Sequence, residues 1–128
     1  MLMSINTTKN ILVVEDEPDI HQLVIEAFSA PEFHIYTAND GVEALKLIDD
    51  SSAAIDILLV DVVMPRLNGP DLVRVILTYR PEIKVIFMSG YADDILDQYG
   101  ILTSRMRYIK KPFIPAMLVQ AVREELSK

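Results

Sequence analysis

The sequence reads Ile57-Leu58-Leu59-Val60 near its middle, four branched apolar residues with no polar residue among them. Residues 11–14 and 85–88 form two further runs of the same character. An apolar run without polar alternation is typical of a strand that is covered on both faces, as in a parallel sheet. Residues 33–37 and 107–109 are weaker strand candidates. The sequence therefore predicts five short strands in one parallel sheet.

Apolar residues at helical spacing separate the predicted strands. Behind Pro18, one stripe comprises Ile20, Leu23, Val24, Ala27 and Phe28. Further helices are predicted over about residues 41–50 (with Asp40 as the N-cap), 70–79, 93–99 and 115–126. In the third helix, the residues predicted to face inward are Leu72, Val75, Ile76 and Tyr79. Strand and helix alternate five times, which predicts an α/β domain with right-handed crossovers and helices on both faces of the sheet.

Composition narrows the class of protein. The chain has 128 residues, no cysteine, and a net charge of −7 from 12 basic and 19 acidic residues. This length suits one domain, which we place at residues 10–127 behind a loose tail of residues 1–9. Without cysteine the chain cannot form disulfides or a cysteine-ligated metal site, and His21 and His34 are too few for a histidine cage.

The sequence also indicates where the protein is located and which partners it does not bind. No apolar run approaches the roughly 20 residues that span a bilayer. The polar start of the chain lacks the apolar core of a signal peptide. We therefore expect a cytoplasmic protein that does not bind a membrane. The acidic balance argues against direct binding of nucleic acid, which requires clustered positive charge.

Polar residues follow the predicted strands at the edge where open parallel sheets bind ligands. Glu15 and Asp16 follow the first strand, Asp61 the third, Ser89 the fourth and Lys111 the last. Converging carboxylates repel one another, and a hard divalent cation such as Mg²⁺ relieves that repulsion. A carboxylate beside the cation can attack phosphorus, while an ammonium group and a hydroxyl neutralise the phosphoryl oxygens. Asp61 is the best candidate for the nucleophile because it ends the most apolar strand.

Each of these residues also has a simpler interpretation. Glu17 and Asp19 suit the first turn of the following helix, where acidic residues complement the helix dipole. Asp61 and Ser89 suit turns, and Lys111 suits a solvated surface. Their joint placement at successive strand ends favours a common site.

These residues lie in motifs that resemble those of the receiver domain of two-component response regulators, over about residues 9–127. The motifs are Val13-Val14-Glu15-Asp16-Glu17, Val60-Asp61-Val62-Val63-Met64-Pro65 with Asn68-Gly69, Met88-Ser89-Gly90-Tyr91, and Lys111-Pro112-Phe113. The resemblance implies a flavodoxin-like fold, a three-layer, doubly wound (βα)5 sandwich with the parallel sheet order 2-1-3-4-5. Glu15 stands where Asp is frequent in the family, which puts the metal geometry in question, and Ser89 stands where Thr is commoner, a mild change that keeps the hydroxyl.

The resemblance also implies a mechanism. Asp61 would accept a phosphoryl group from a phosphohistidine on a partner protein. Mg²⁺ or Mn²⁺ would bind Asp16, Asp61 and the backbone carbonyl of Val63, with Glu15 as a direct ligand or a holder of metal-bound water. Lys111 would pair with the phosphoryl group.

A conformational switch belongs to the same resemblance. Ser89 would move inward on phosphorylation and Tyr108 would follow it. The Lys111–Pro112 bond would be cis and aim the lysine into the site.

The partner implied is a sensor histidine kinase or a histidine phosphotransfer protein. The motifs at residues 68–72 and 88–91 look like those of receivers at the C-terminus of hybrid sensor kinases, whereas the initial Met1 and the tail suit a stand-alone regulator, and the sequence leaves the two open. A partner face would comprise the fourth predicted helix, the last strand and the last helix. If its apolar side chains are exposed, that face suits a homodimer or kinase contact; they are Ile95, Leu96, Tyr99, Ile101, Leu102, Met106 and Tyr108.

Three other functions compete with this interpretation. A haloacid dehalogenase type phosphatase carries a second Asp two residues after its nucleophile, where this chain has Val63. A flavin carrier of the flavodoxin type needs a phosphate-binding loop after the first strand, and here that loop is acidic. A pseudo-receiver would be a protein-interaction module that is never phosphorylated. Such domains usually lose the acceptor Asp, a member of the acidic pair or the Lys, and this chain keeps all three. We therefore expect a signalling domain that catalyses only its own phosphorylation and slow dephosphorylation.

Overall fold

Five parallel strands form the sheet in the computed structural model, which describes residues 8–50, 54–64, 67–90 and 106–128. The strands are β1 (Lys9–Val14), β2 (Phe33–Ala38), β3 (Ile57–Asp61), β4 (Lys84–Ser89) and β5 (Arg107–Lys110). They lie in the order β2-β1-β3-β4-β5, and every neighbouring pair is parallel. The predicted strands and the implied sheet order 2-1-3-4-5 are confirmed.

Helices cover both faces of this sheet. The described helices are α1 (Pro18–Ala27), α2 (Gly41–Asp50), α3 (Gly69–Tyr79) and α4 (Pro115–Leu126). Helices α1 and α4 pack on one face, and α2 and α3 pack on the other. The three-layer flavodoxin-like architecture is therefore confirmed. The helix predicted over residues 93–99 lies outside the described residues, as do Tyr91 and the apolar side chains of residues 95–102.

Strand β3 shows why the sequence lacks polar alternation there. Its five residues are all buried, because successive side chains point to opposite faces and both faces are covered. Leu58 and Val60 join the core beneath α2 and α3, and Ile57 and Leu59 join the core beneath α1 and α4. The central position of β3 places its last residue, Asp61, in the middle of the carboxyl edge of the sheet.

The helix starts and faces agree with the sequence except at one residue. Asp40 caps α2, since its Oδ1 accepts a hydrogen bond of 2.9 Å from the Glu43 N–H. Tyr79 was predicted to face inward, and this is wrong, since its side chain is 60% exposed. The buried face of α3 is centred on Val73 and Ile76, which turns Tyr79, the last residue of the helix, toward solvent.

Candidate functional site

Strands β1 and β3 are neighbours, and their carboxyl ends bring three carboxylates together. Val14 pairs with Val60, so Glu15 and Asp61 leave the sheet side by side. One carboxylate oxygen from each of Glu15, Asp16 and Asp61 lies within 4.8 Å of the other two. Glu15 is fully buried and Asp61 is only 6% exposed, whereas Asp16 is open to solvent. The structure thus brings together the acidic residues that the sequence placed at separate strand ends.

Lys111 completes this cluster from the far side of β4. Its Nζ lies 2.7 Å from Glu15 Oε1, 3.3 Å from Glu17 Oε1 and 3.5 Å from Asp61 Oδ2. Its backbone N–H donates to the Ser89 carbonyl at 2.7 Å, and the Lys111–Pro112 bond is cis. One ammonium group is therefore shared among three carboxylates.

Burial dominates the electrostatics of the cluster. Burial raises the pKa of Glu15 to about 7, opposed by its hydrogen bond with Lys111 and reinforced by the charge of Asp61. Burial also raises the pKa of Asp61, although Lys111 acts in the opposite direction. Burial alone would lower the pKa of Lys111, but its hydrogen bond with Glu15 and the charge of Asp61 raise it above its ordinary value. The lysine stays charged, and the two buried carboxylates are short of positive charge.

The loop after β3 fixes the position of Asp61. The Gly69 N–H donates to the Val62 carbonyl at 3.0 Å, which closes the loop onto the strand end. Asn68 Oδ1 caps α3 by accepting from the Asp71 N–H at 2.9 Å. A Cβ on residue 69 would lie 2.2 Å from the Asp61 carbonyl oxygen, so the start of α3 can approach this strand only as glycine.

An open cleft lies over the carboxylates. Its volume is about 490 Å³, and its lining comprises Asp16, Glu17, Asp61, Val63, Met64, Gly90 and Lys111. A larger groove of about 640 Å³ runs between α1 and α4, away from the carboxylates. Volume alone would point to that groove, but the converging charged groups belong to the smaller cleft. We therefore take the smaller cleft as the functional site.

The chemistry of the donor set fits a magnesium ion. Mg²⁺ prefers hard oxygen ligands and keeps several waters, and three carboxylates beside an open cleft offer that combination. The two buried carboxylates also lack the positive charge that a divalent cation would supply. Val63 lines the cleft and lies two residues after Asp61.

Two further predicted residues lie in strands β4 and β5. Ser89 ends β4 and is fully buried, and its neighbour Gly90 lines the cleft. Tyr108 lies in β5 with its side chain 38% exposed. Met106, predicted for the partner face, is partly buried against the core.

Sequence reasoning missed the roles of Glu17 and Gly69. Glu17 was assigned to the start of α1, where it does stand as the N-cap, but its carboxylate also binds Lys111. The Asn68-Gly69 pair, a capping residue followed by glycine at a helix start, could have indicated that the backbone of residue 69 approaches Asp61 closely. No helix within the described ranges has both the length and the apolar character needed to cross a membrane.

Sequence and structure comparisons identify similar proteins. The sequence profile of the response regulator receiver domain matches residues 11–123. The sensor kinase CckA of Brucella abortus (strain 2308) is 35% identical over 118 residues, which are 92% of this chain and 12% of the kinase. The response regulator SaeR of Staphylococcus aureus (strain USA300) is 29% identical over 119 residues, 93% of this chain and 51% of SaeR. The chain thus spans only part of the length of these relatives.

A solved structure shares the fold over nearly the whole chain. It is the signal receiver domain of an HD domain-containing protein from Pseudomonas fluorescens Pf-5, with a TM-score of 0.83 and 26% sequence identity. The match covers 94% of this chain and 95% of that chain.

Proposed function

The chain belongs to the response regulator receiver domain family of two-component systems, and we propose that it takes a phosphoryl group from a phosphohistidine onto Asp61. The observation that carries this proposal is the position of Asp61. Its carboxylate lies where two other carboxylates, the Lys111 ammonium group and an open cleft meet. The proposed receiver domain extends over residues 10–127 behind a tail of residues 1–9, except that the structure places Lys9 in β1.

The proposed metal is Mg²⁺ or Mn²⁺. Glu15, Asp16 and Asp61 would hold it, with the backbone carbonyl of Val63 as a further ligand. When bound, the cation neutralises charge on the phosphoryl oxygens. Glu15 contacts Lys111 at 2.7 Å and is also one of the three carboxylates of the cluster.

The reaction replaces nitrogen by oxygen at phosphorus. An oxygen of the Asp61 carboxylate forms the new P–O bond while the P–N bond of the donor breaks, and the bonding electron pair returns to the imidazole nitrogen. The Val63 N–H, 3.4 Å from Asp61 Oδ1, orients the carboxylate. Lys111 transfers its contact from Asp61 Oδ2 to the phosphoryl oxygens and stabilises their charge.

The proposed output is a shift between two conformations. Ser89 donates its hydroxyl to a phosphoryl oxygen and moves inward, and Tyr108 follows it. The partner is a sensor histidine kinase or a histidine phosphotransfer protein in the cytoplasm, and the face formed by the helix predicted over residues 93–99, β5 and α4 is the proposed homodimer contact. A pseudo-receiver is disfavoured because Asp61, the acidic pair and Lys111 are all present.

Phosphoramidate tests the proposal, because its P–N bond resembles that of phosphohistidine. Intact mass spectrometry should record a gain of one phosphoryl group in the presence of Mg²⁺ and no gain in EDTA. No gain in Mg²⁺ with phosphoramidate, and none with a phosphorylated histidine phosphotransfer protein, would leave the pseudo-receiver as the better account.

Replacement of Lys111 should slow the transfer of the phosphoryl group to Asp61. We expect Lys111→Met to take up the phosphoryl group about 100-fold more slowly, because charge on the phosphoryl oxygens loses its ammonium partner. Stopped mass measurements over time would give the rates. Lys110→Met is the matched control, since Lys110 is the exposed last residue of β5, directly before Lys111, and has no contact with the acidic cluster in the described residues. Equal rates for Lys111→Met and the parent would remove Lys111 from the mechanism.

Mg²⁺ affinity should depend on pH through Glu15. Burial raises the pKa of this carboxyl to about 7, and a cation can bind only its ionised form. The affinity should therefore fall by about tenfold for each pH unit below that pKa, as one proton competes, and level off above it. Calorimetric titration from pH 5.5 to pH 8.5 measures this. Glu15→Gln should bind more weakly at high pH and lose the part of the dependence that Glu15 contributes, and an unchanged slope in this variant would contradict the assignment.

A further inference from the structure

His21 is a side chain of α1 that reaches back to the loop carrying the acidic residues. Its Nε2 donates a hydrogen bond to the backbone carbonyl oxygen of Glu15. A carbonyl oxygen can only accept, so Nε2 carries the hydrogen in this contact. We call residues 15–17, Glu15-Asp16-Glu17, the acidic loop. His21 lies six residues beyond Glu15, so the contact spans the whole junction between β1 and α1.

The backbone of His21 holds the other end of the acidic loop. Its N–H donates to the Glu17 carbonyl at 3.3 Å. Glu17 is the N-cap of α1, but its own side chain makes no capping hydrogen bond. The junction therefore lacks the usual side-chain cap and depends on other contacts. His21 supplies one of them from its side chain, at the Glu15 carbonyl, while its N–H makes the first i→i−4 bond of α1 to the Glu17 carbonyl, as any residue at this position would.

The acidic loop contains a carboxylate whose burial is energetically unfavourable. Glu15 is fully buried, and burial of a carboxylate favours its movement toward water. Its partners are the Lys111 ammonium group at 2.7 Å and the Glu17 N–H, 3.3 Å from its Oε2. A loop that rotated outward would separate Glu15 and Asp16 from Asp61. The hydrogen bond from His21 to the Glu15 carbonyl opposes that rotation at the residue where it would begin.

We propose that His21 is a positioning residue for the cation site, holding the Glu15 carbonyl so that the carboxylates of Glu15 and Asp16 stay beside Asp61. This inference rests on the proposed Mg²⁺ site. His21 touches neither the cation nor the phosphoryl group, and it acts through the backbone of the acidic loop. This role requires a hydrogen-bond donor at this place. It does not require an imidazole ring.

Three variants separate the donor from the ring. His21→Gln keeps an N–H donor at a similar distance from Cα, and His21→Leu removes it. His34→Leu is the matched control, because His34 is exposed on β2 and its ring contacts only the tilted ring of Tyr36 among the aromatic side chains of the described residues. Calorimetry with MgCl₂ should show about tenfold weaker binding for His21→Leu. His21→Gln and His34→Leu should bind as the parent does. If His21→Leu does not fold, His21→Met provides the variant without a donor.

Amide hydrogen exchange in EDTA gives a readout that needs no cation. The Glu17 N–H, which bonds the Glu15 carboxylate, should exchange faster in His21→Leu and at the parent rate in His21→Gln. Parent-like Mg²⁺ affinity and parent-like Glu17 exchange in His21→Leu would overturn the inference, and so would a failure of His21→Gln to restore them. A parent that binds no Mg²⁺ would count against the proposed function instead, and the exchange of Glu17 would still decide the role of His21.

Discussion

The Asp61→Asn variant is expected to take up the phosphoryl group from phosphoramidate at less than about one hundredth of the parent rate. An amide oxygen is a poor nucleophile and cannot form the acyl phosphate that the carboxylate forms. The variant should still fold, because Asp61 is one of three converging carboxylates and its removal relieves repulsion. Its free energy of unfolding in EDTA should equal or exceed that of the parent.

The control for this prediction is an acidic residue outside the cleft. Asp49 is exposed near the end of α2, and Asp49→Asn changes the net charge by the same amount. Mass spectrometry over time should give the parent rate for Asp49→Asn. Phosphoryl uptake by folded Asp61→Asn at the parent rate would show that another residue accepts the group, and the mechanism proposed here would then be wrong.

Gly69→Ala is expected to lower the free energy of unfolding by about 3 kcal/mol or more. The new Cβ would lie 2.2 Å from the Asp61 carbonyl oxygen and 3.0 Å from Val60 Cγ1. Both atoms belong to the central strand, and a backbone oxygen there cannot move without disturbing the sheet. The start of α3 must therefore shift away from β3.

Gly90→Ala is the matched control for urea unfolding. A Cβ at residue 90 would meet Lys111 Cβ at 3.8 Å, an ordinary contact, so this variant should keep nearly the parent stability. The shift of α3 in Gly69→Ala should also displace Asp61 and weaken Mg²⁺ binding. A Gly69→Ala variant as stable as the parent, with parent-like Mg²⁺ affinity, would show that the loop after β3 does not fix Asp61.

The sheet could be predicted because its central strands are covered on both faces. The apolar runs at residues 57–60 and 11–14 have no polar alternation, which predicts strands covered on both faces. The structure buries all eight of these residues. Strand β2 lies at the edge of the sheet and mixes buried and exposed residues, so its apolar run was weaker. Near the end of a helix, the angle at which the helix packs on the sheet decides whether a residue faces the core or solvent. Periodicity does not give that angle, and for this reason it misplaced Tyr79.

The acidic cluster could be predicted because parallel strands deliver their carboxyl ends to one edge. Periodicity and motif spacing placed Glu15, Asp61 and Lys111 there, and in the structure Lys111 Nζ lies within 3.5 Å of both carboxylates. The contacts of Glu17 and His21 could not be predicted in the same way. Each depends on the turn from β1 into α1, where a difference of a few ångströms decides whether a side chain reaches Lys111 or the Glu15 carbonyl.

Borohydride reduction followed by peptide mapping tests the central claim most directly. Borohydride reduces an acyl phosphate on aspartate to homoserine and leaves other phosphorylated residues unchanged. After incubation with phosphoramidate and Mg²⁺, the proposal predicts homoserine at position 61 and at no other aspartate of the chain. Homoserine at a different position, or a phosphoryl group that resists borohydride, would contradict it.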